Sequence, residues 1–226
     1  MKKTFIANWK ENKNYEEASS FFGDFLRRIG ENGLFDKEKI LCPPAIFLPF
    51  LWERLRLEKR IRLGAQDISV FEGGSFTGEI SVRMVVDFVG YCLVGHSDRR
   101  LKFLETPEII NRKIELCQKY NLTPIICVSS EEELKEVKVT NKKTPVFLSF
   151  EPQDFIGGDE TEDRRRIEDF YESSSKIISG DEVKFIYGGS VTRRNIGNLI
   201  RLPFIHGFLI GHESLDPNVF ADVVLS

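Results

Sequence analysis

Short apolar runs alternate with longer, partly polar stretches along the whole chain. Eight of these runs are four or five residues long, which is too short for helices and too continuous for half-exposed antiparallel strands. Strands that are buried on both faces of a parallel sheet have this pattern. We therefore predict eight strands, at Thr4–Ala7, Lys39–Cys42, Ile61–Ala65, Tyr91–Val94, Pro124–Val128, Val146–Phe150, Val183–Tyr187 and Gly207–Ile210.

The stretches between the strands have apolar residues three and four positions apart, which is typical of helices. Two of them begin with a capping residue followed by proline, a common helix start. Alternating strands and helices form βαβ units, and eight units favour a closed (β/α)₈ barrel, here an α/β single domain over residues 1–226. The predicted helices are Tyr15–Ile29, Thr106–Tyr120, Glu131–Val137, one through Ile196, Leu199 and Ile200, and one that begins at Asp216-Pro217.

The crossover between strands five and six is the weakest unit of the predicted barrel. It comprises the fifteen residues Ser130–Thr144, and only its first half has a helical pattern. We expect one outer helix to be shortened there. Part of the barrel wall should then be exposed, unless a partner or repacked side chains cover it.

Active sites of such barrels form at the carboxyl ends of the strands. A lysine, a histidine and a carboxylate follow three of the predicted strands, and two glycine-rich turns that lead into helices follow two others. The residues at the strand ends are Asn8 and Lys10, Gln66 and Asp67, His96 and Ser97, Glu151, Gly188 to Ser190, and Gly211 with His212.

This set of groups suits proton abstraction next to a carbonyl. A carboxylate can take a proton from carbon if the adjacent carbonyl is polarised, and a lysine and an imidazole near its oxygen would do so. Backbone N–H groups in glycine-rich turns at helix N-termini form anion sites, which in barrels often hold a phosphate. The sequence therefore predicts chemistry on a small phosphorylated substrate.

Composition argues against several other classes of protein. The net charge of −3, from 32 basic and 35 acidic residues, gives no general footprint for nucleic acid. The apolar runs are far shorter than the roughly 18 residues of a membrane span, and the N-terminus lacks the apolar stretch of a signal peptide. We expect a cytoplasmic protein with buried, reduced thiols and no metal or disulfide site at its cysteines, because none of them forms a CxxC pair: Cys42, Cys92, Cys117 and Cys127.

Several short motifs, in order along nearly the whole chain, resemble those of the triosephosphate isomerase family. Any one of them is a short string, but the ordered set is specific. Among them, 74–81 resembles the tip of the family's dimer loop, and 150–152 resembles the catalytic glutamate and the start of its lid. The motifs are Ala7–Asn12, Gly64–Asp67, Gly74–Ser81, Gly95–Arg100 with Glu105 downstream, Phe150–Pro152 and Tyr187–Val191.

The resemblance implies a TIM barrel, no metal or organic cofactor, and a role for each residue at the rim. Glu151 would shuttle a proton between two substrate carbons, His96 would polarise the carbonyl as a neutral electrophile, and Lys10 with Asn8 would act at the developing oxyanion. The substrates would be dihydroxyacetone phosphate and D-glyceraldehyde 3-phosphate, as in glycolysis and gluconeogenesis. The phosphate would be held by Gly157, Gly189, Ser190, Gly211 and His212, with Ser97, Asp98 and Tyr187 in support.

The resemblance also implies a symmetric homodimer. The loop 67–81 would protrude from one subunit and insert Thr77 beside Asn8 and Lys10 of the other.

The chain departs from the family's pattern at several positions. The lid, 153–160, lacks the usual tryptophan and lysine and contains three acids, which should weaken attraction for a dianion unless they face away. His212 stands where the family has a glycine, so it either crowds the phosphate or assists it as an imidazolium. Asp98 stands where glutamate is usual, and we expect the shorter side chain to miss Lys10 or to need a bridging water.

Three other functions stay open at this stage. The chain could isomerise a different phosphosugar, with the altered lid and His212 reshaping the pocket. It could instead be a catalytically silent protein that binds phosphate, or a structural protein in which Asn8, Lys10, His96 and Glu151 come together by accident.

Overall fold

A computed structural model shows a closed barrel of eight parallel strands with helices outside it. The structure describes residues 2–30, 37–56, 58, 61–139, 145–152, 163–178 and 183–226. Each strand pairs in parallel with its neighbour in sequence, and the first pairs with the last. The strands are β1 (Thr4–Asn8), β2 (Glu38–Cys42), β3 (Ile61–Ala65), β4 (Tyr91–Val94), β5 (Thr123–Val128), β6 (Val146–Phe150), β7 (Val183–Tyr187) and β8 (Gly207–Ile210). The predicted (β/α)₈ barrel is confirmed.

The helices begin where local capping groups are available. Asn14 and Glu17 form a capping box that fixes the start of the first helix, and Asp216 accepts backbone N–H groups at the start of the last. Within the described residues the helices are α1 (Tyr15–Ile29), α2 (Leu48–Leu55), α3 (Val82–Val85), α4 (Ser97–Lys102), α5 (Pro107–Lys119), α6 (Glu131–Lys135), α7 (Arg164–Ile177), α8 (Ile196–Leu199) and α9 (Pro217–Leu225). None of them is long and apolar enough to cross a membrane.

Apolar side chains pack in two layers, because alternate residues of each strand point to opposite faces. The inner layer fills the barrel and lies directly beneath the strand ends. It contains Ile6, Ile40, Cys42, Leu93, Ile125, Cys127, Phe147, Ile186 and Leu209. The outer layer lies between strands and helices, where the rings of Phe25 on α1 and Phe220 on α9 stack 5.0 Å apart.

The shortened crossover does not leave its wall bare in the part that the structure describes, residues 129–139. Val137 and Val139 pack against the outer layer beyond the end of α6. Asn111 on α5 holds this segment, because its side chain donates to the carbonyl of Glu136 and accepts the N–H of Lys138. Within this segment, repacked side chains therefore cover the wall, as one of the two expected alternatives had it. The helix α6 ends at Lys135, two residues earlier than predicted.

Candidate active site

Lys10 lies just beyond β1 in a backbone conformation that few lysines adopt. Its φ is +51°, in the left-handed region. The side chain of Asn8 accepts the N–H of Lys10, and Gln66 donates to the carbonyls of Lys10 and Cys42. Side chains after β1 and β3 therefore hold a strained backbone in place, which is common where a side chain must be aimed precisely at a ligand.

Asp98 reaches Lys10 directly, so the expectation that the shorter acid would miss it is wrong. The Lys10 Nζ lies 2.9 Å from the Asp98 Oδ2, and Lys102 contacts the other oxygen at 2.8 Å. Burial opposes ionisation of Asp98, but the hydrogen bonds from Lys102 and Lys10 outweigh it and lower its pKa to about 2. The carboxylate is therefore charged at neutral pH and fixes the lysine ammonium.

His96 is buried at the N-terminus of α4, and its ring is held in one orientation. Its Nδ1 accepts the backbone N–H of Asp98 at 3.1 Å. A nitrogen whose lone pair accepts a hydrogen bond carries no proton, so the N–H of the neutral ring is on Nε2. That Nε2 lies 3.3 Å from the Oε2 of Glu151. The imidazole thus presents a single donor to the cavity. Ser97 follows it as the first residue of α4.

Glu151 follows β6 and is almost completely buried. Its N–H continues the strand ladder to the carbonyl of Val128, and Gly188 does the same to Phe150 from β7. A Cβ at Gly188 would lie only 2.6 Å from the Glu151 Cγ. A glycine is therefore needed after β7 so that the carboxylate can occupy this place.

The turn after β7 also requires close approach of the backbone. A Cβ at Gly189 would lie 2.5 Å from the Tyr187 hydroxyl oxygen and 3.0 Å from a ring carbon of Pro152. Ser190 has a φ of +46°, and the Asn195 side chain donates to its carbonyl. Tyr187 therefore supports the turn from below, and the turn is fixed from both sides.

The turn after β8 brings Gly211 against Lys10, since an added Cβ would lie 3.7 Å from the Lys10 Cε. Ser214 closes the turn by donating its N–H and its hydroxyl to the carbonyl of Gly211. His212 opens a short 3₁₀ helix here without a left-handed φ, so its backbone does not require glycine. Its side chain is exposed at the cavity.

These strand ends enclose a cavity of about 490 Å³. It brings together seven of the predicted site residues, namely Asn8, Lys10, His96, Glu151, Ser190, Gly211 and His212. Thr192, Glu213 and Leu215 also line it and were not predicted; their only signal was a position shortly after a predicted turn. Gly157 and the lid, 153–160, lie outside the described residues.

A buried ionic cluster supports the segment that carries His96. The Lys113 ammonium on α5 contacts Asp67 at 2.6 Å and Glu105 at 2.5 Å, and Arg99 contacts the same two carboxylates. Burial raises the pKa of Asp67, while the neighbouring Lys113 acts in the opposite direction. The cluster joins the segments after β3 and β4 to α5. Among the described residues, no group of acidic, histidine or cysteine side chains is arranged to hold a metal ion.

Known proteins resemble this chain over nearly its whole length. A family model described as triosephosphate isomerase matches residues 3–226. A triosephosphate isomerase from Nostoc sp. is 35% identical over 99% of both chains. Those from Buchnera aphidicola and Shewanella frigidimarina are 33% and 31% identical, over 99% and 94% of this chain and 97% and 92% of their own.

Proposed function

This chain belongs to the triosephosphate isomerase family, and we propose that it interconverts dihydroxyacetone phosphate and D-glyceraldehyde 3-phosphate. The observation that carries the proposal is the contact between His96 and Glu151, 3.3 Å apart at the floor of a cavity that also contains Lys10. A base and a polarising donor are thereby placed within reach of neighbouring atoms of one small substrate.

Glu151 acts as the base in this proposal. Its carboxylate takes a proton from the substrate carbon next to the carbonyl, and the C–H electron pair forms the double bond of an enediolate. The same proton is then delivered to the former carbonyl carbon. The hydroxyl proton of the neighbouring carbon moves to the enediolate oxygen, so the carbonyl re-forms at the carbon that lost its proton. The reaction is balanced without a redox partner or a second substrate.

His96, Lys10 and Asn8 stabilise the oxyanion of this intermediate. The only ring N–H of His96 is on Nε2, which lies beside Glu151, and it donates to the substrate oxygen when the substrate enters. The Lys10 ammonium, fixed by Asp98, adds positive charge at the same oxygen. Groups that are held in place before the reaction stabilise such charge at little reorganisation cost.

The turns after β7 and β8 hold the phosphate in this proposal. Ser190 and Gly211 line the cavity, Gly189 precedes Ser190 in the same turn, and His212 adds an imidazole at the cavity edge. Lys10 lies against Gly211, so its positive charge is close to the proposed phosphate site. Gly157 belongs to the same proposal by resemblance alone.

The test is a coupled assay of purified protein with glyceraldehyde 3-phosphate. We expect Glu151→Gln to abolish nearly all turnover, because the amide cannot accept the proton. Glu16→Gln is the matched control, since it makes the same change at an exposed position on α1. A Glu151→Gln protein that kept most of its activity would overturn the role of the base.

Inactivity of the wild-type protein would separate the alternative functions. Binding of 2-phosphoglycolate without turnover would then identify a silent phosphate-binding protein. Turnover of another sugar phosphate, in a panel of aldose and ketose phosphates, would instead indicate that His212 has reshaped the substrate pocket.

We also propose a symmetric homodimer through the loop 67–81. Thr77 is exposed in this loop, and so are the stacked rings of Phe71 and Phe76, whose centroids are 3.6 Å apart. Loops at the same rim, after β2 and β4, expose Ile46 and Phe103. Clustered apolar surface of this kind is typical of an interface between proteins. Sedimentation should show a dimer, and a shortened loop should give a monomer.

The cellular setting is a further part of the proposal. We propose one domain over residues 1–226 and a place in glycolysis and gluconeogenesis in the cytoplasm. All four cysteines lie in described segments as free, buried thiols, which suits a reducing compartment. A single calorimetric unfolding transition and fractionation of source cells would test these two statements.

A further inference from the structure

Ser149 lies directly below the proposed base on the same face of β6. Phe147 belongs to the inner layer of the barrel, whereas Leu148 and Phe150 belong to the outer layer. Since strand residues alternate between faces, Ser149 and Glu151 both point toward the barrel interior. Ser149 is completely buried there.

A donor and an acceptor are left unpaired side by side at this point. The Ser149 hydroxyl and the Glu151 Oε1 are both buried, and neither has a hydrogen-bond partner in the described part of the chain. Both side chains pack against the same backbone, because a Cβ at Gly188 would lie 3.1 Å from the Ser149 Oγ and 3.4 Å from the Glu151 Cδ. Buried polar atoms are rarely left unpaired in folded proteins, so this pair calls for an explanation.

Two other buried serines donate their hydroxyls to backbone carbonyls. Ser174 donates to the carbonyl of Tyr171 within α7, and Ser214 donates to Gly211. Ser149 lies within a strand whose carbonyls are committed to neighbouring strands. The carboxylate of Glu151, on the same face of β6, is therefore the acceptor that remains for the Ser149 hydroxyl.

We propose that Ser149 is a positioning residue that donates a hydrogen bond to the Glu151 carboxylate during turnover, an inference that rests on the proposed function. In the structure, His96 faces one oxygen of this carboxylate. When a substrate carbonyl takes the His96 N–H, the carboxylate loses that neighbour in a site without bulk water. A small rotation then brings the Ser149 hydroxyl onto Oε1, which keeps the base ionised and aimed at the substrate carbon.

The other groups that face Glu151 do not replace this donor. His96 is committed to the substrate, Lys10 is paired with Asp98, and both lie on the cavity side. The Cys127 thiol on β5 interacts with Glu151 and lies 3.8 Å from the carbonyl of Ile125, but a thiol is a weaker donor than a hydroxyl. Burial, followed by the charge of Glu151, raises the pKa of this thiol, so it stays neutral.

The experiment compares the pH dependence of kcat for glyceraldehyde 3-phosphate in wild type and Ser149→Ala, because kcat reports ionisations in the enzyme–substrate complex. A hydrogen bond to a carboxylate favours its charged form, so losing it should move the acid limb of the profile upward by about one pH unit, roughly tenfold in rate at a given acidic pH. Ser149→Cys keeps a weak donor of similar size and should give an intermediate profile. Ser174→Ala, a buried serine on α7, should leave the profile unchanged.

Superimposable profiles for wild type and Ser149→Ala would overturn the proposal, and so would an equal shift in Ser174→Ala. If Ser149→Ala does not fold, the profile of Ser149→Cys shows whether Ser149 donates to the Glu151 carboxylate: a shifted profile supports the hydrogen bond, and an unchanged one overturns it. Carbon-13 NMR titration of the Glu151 carboxyl in the complex with 2-phosphoglycolate, assigned with Glu151→Gln, reports the same shift without turnover. It therefore separates failure of this proposal from failure of the isomerase activity.

Discussion

Replacing Gly188 with alanine should damage catalysis while leaving the fold intact. The added Cβ would lie 2.6 Å from the Glu151 Cγ and 3.1 Å from the Ser149 Oγ. Two carbons in contact prefer a separation of about 3.5 Å or more, so the base or the end of β7 must move by roughly 1 Å. A displacement of about 1 Å at a reacting group costs on the order of a hundredfold in rate.

The assay is kcat for glyceraldehyde 3-phosphate, with thermal unfolding measured on the same samples. Gly188 has no left-handed φ, so the substitution adds crowding but no backbone strain. Gly23→Ala is the matched control, because nothing lies within 4 Å of its added Cβ on α1. It should keep full activity and gain about 0.5–1 kcal/mol of stability. A folded Gly188→Ala enzyme with more than half of the wild-type kcat would refute this reasoning.

Three further changes test the supporting contacts. Lys113→Met removes the buried one of the two cations that contact Asp67 and Glu105, and should lower the free energy of unfolding by about 3 kcal/mol in urea titrations. Lys119→Met, at an exposed pair on the same helix, should cost under about 1 kcal/mol. Asp98→Asn should be less stable than wild type at neutral pH. Because the pKa of Asp98 is lowered in the folded protein, its carboxylate stabilises the folded state at pH values above 3.8, its ordinary pKa. This stabilisation is lost as the pH falls toward about 2, so urea titrations of the two proteins should converge between these pH values. His212→Gly should weaken 2-phosphoglycolate binding in calorimetry at pH 6, and tighter binding would show that the imidazole crowds the site.

The strands could be predicted almost to the residue, because burial on both faces of a parallel sheet leaves an uninterrupted apolar run. The bounds of β3, β4, β6, β7 and β8 agree with the prediction, and β2 and β5 each begin one residue earlier. Strand ends then placed Lys10, His96 and Glu151 at one rim. Local pattern suffices here since a barrel brings all carboxyl ends together.

Contacts between distant side chains could not be predicted in the same way. Asp98 contacts Lys10 because the left-handed backbone at Lys10 and the start of α4 lie close together. Neither backbone conformation can be predicted from the spacing of residues in the sequence. The cluster around Lys113 joins Asp67, 46 positions away, with Glu105. Such pairs depend on closure of the whole barrel, which brings together charges that look solvent-exposed in the sequence.

The pairing of β1 with β8 has a consequence for biosynthesis. Lys10 lies beside Gly211, and α1 packs against α9, so the two ends of the chain meet around the site. A ribosome that has made the first two hundred residues has produced both the base and the lysine, but not the turn that lies against Lys10. The nascent chain therefore lacks a complete site until β8 and the turn after it have emerged and docked. The appearance of activity during translation would mark the moment at which the barrel closes.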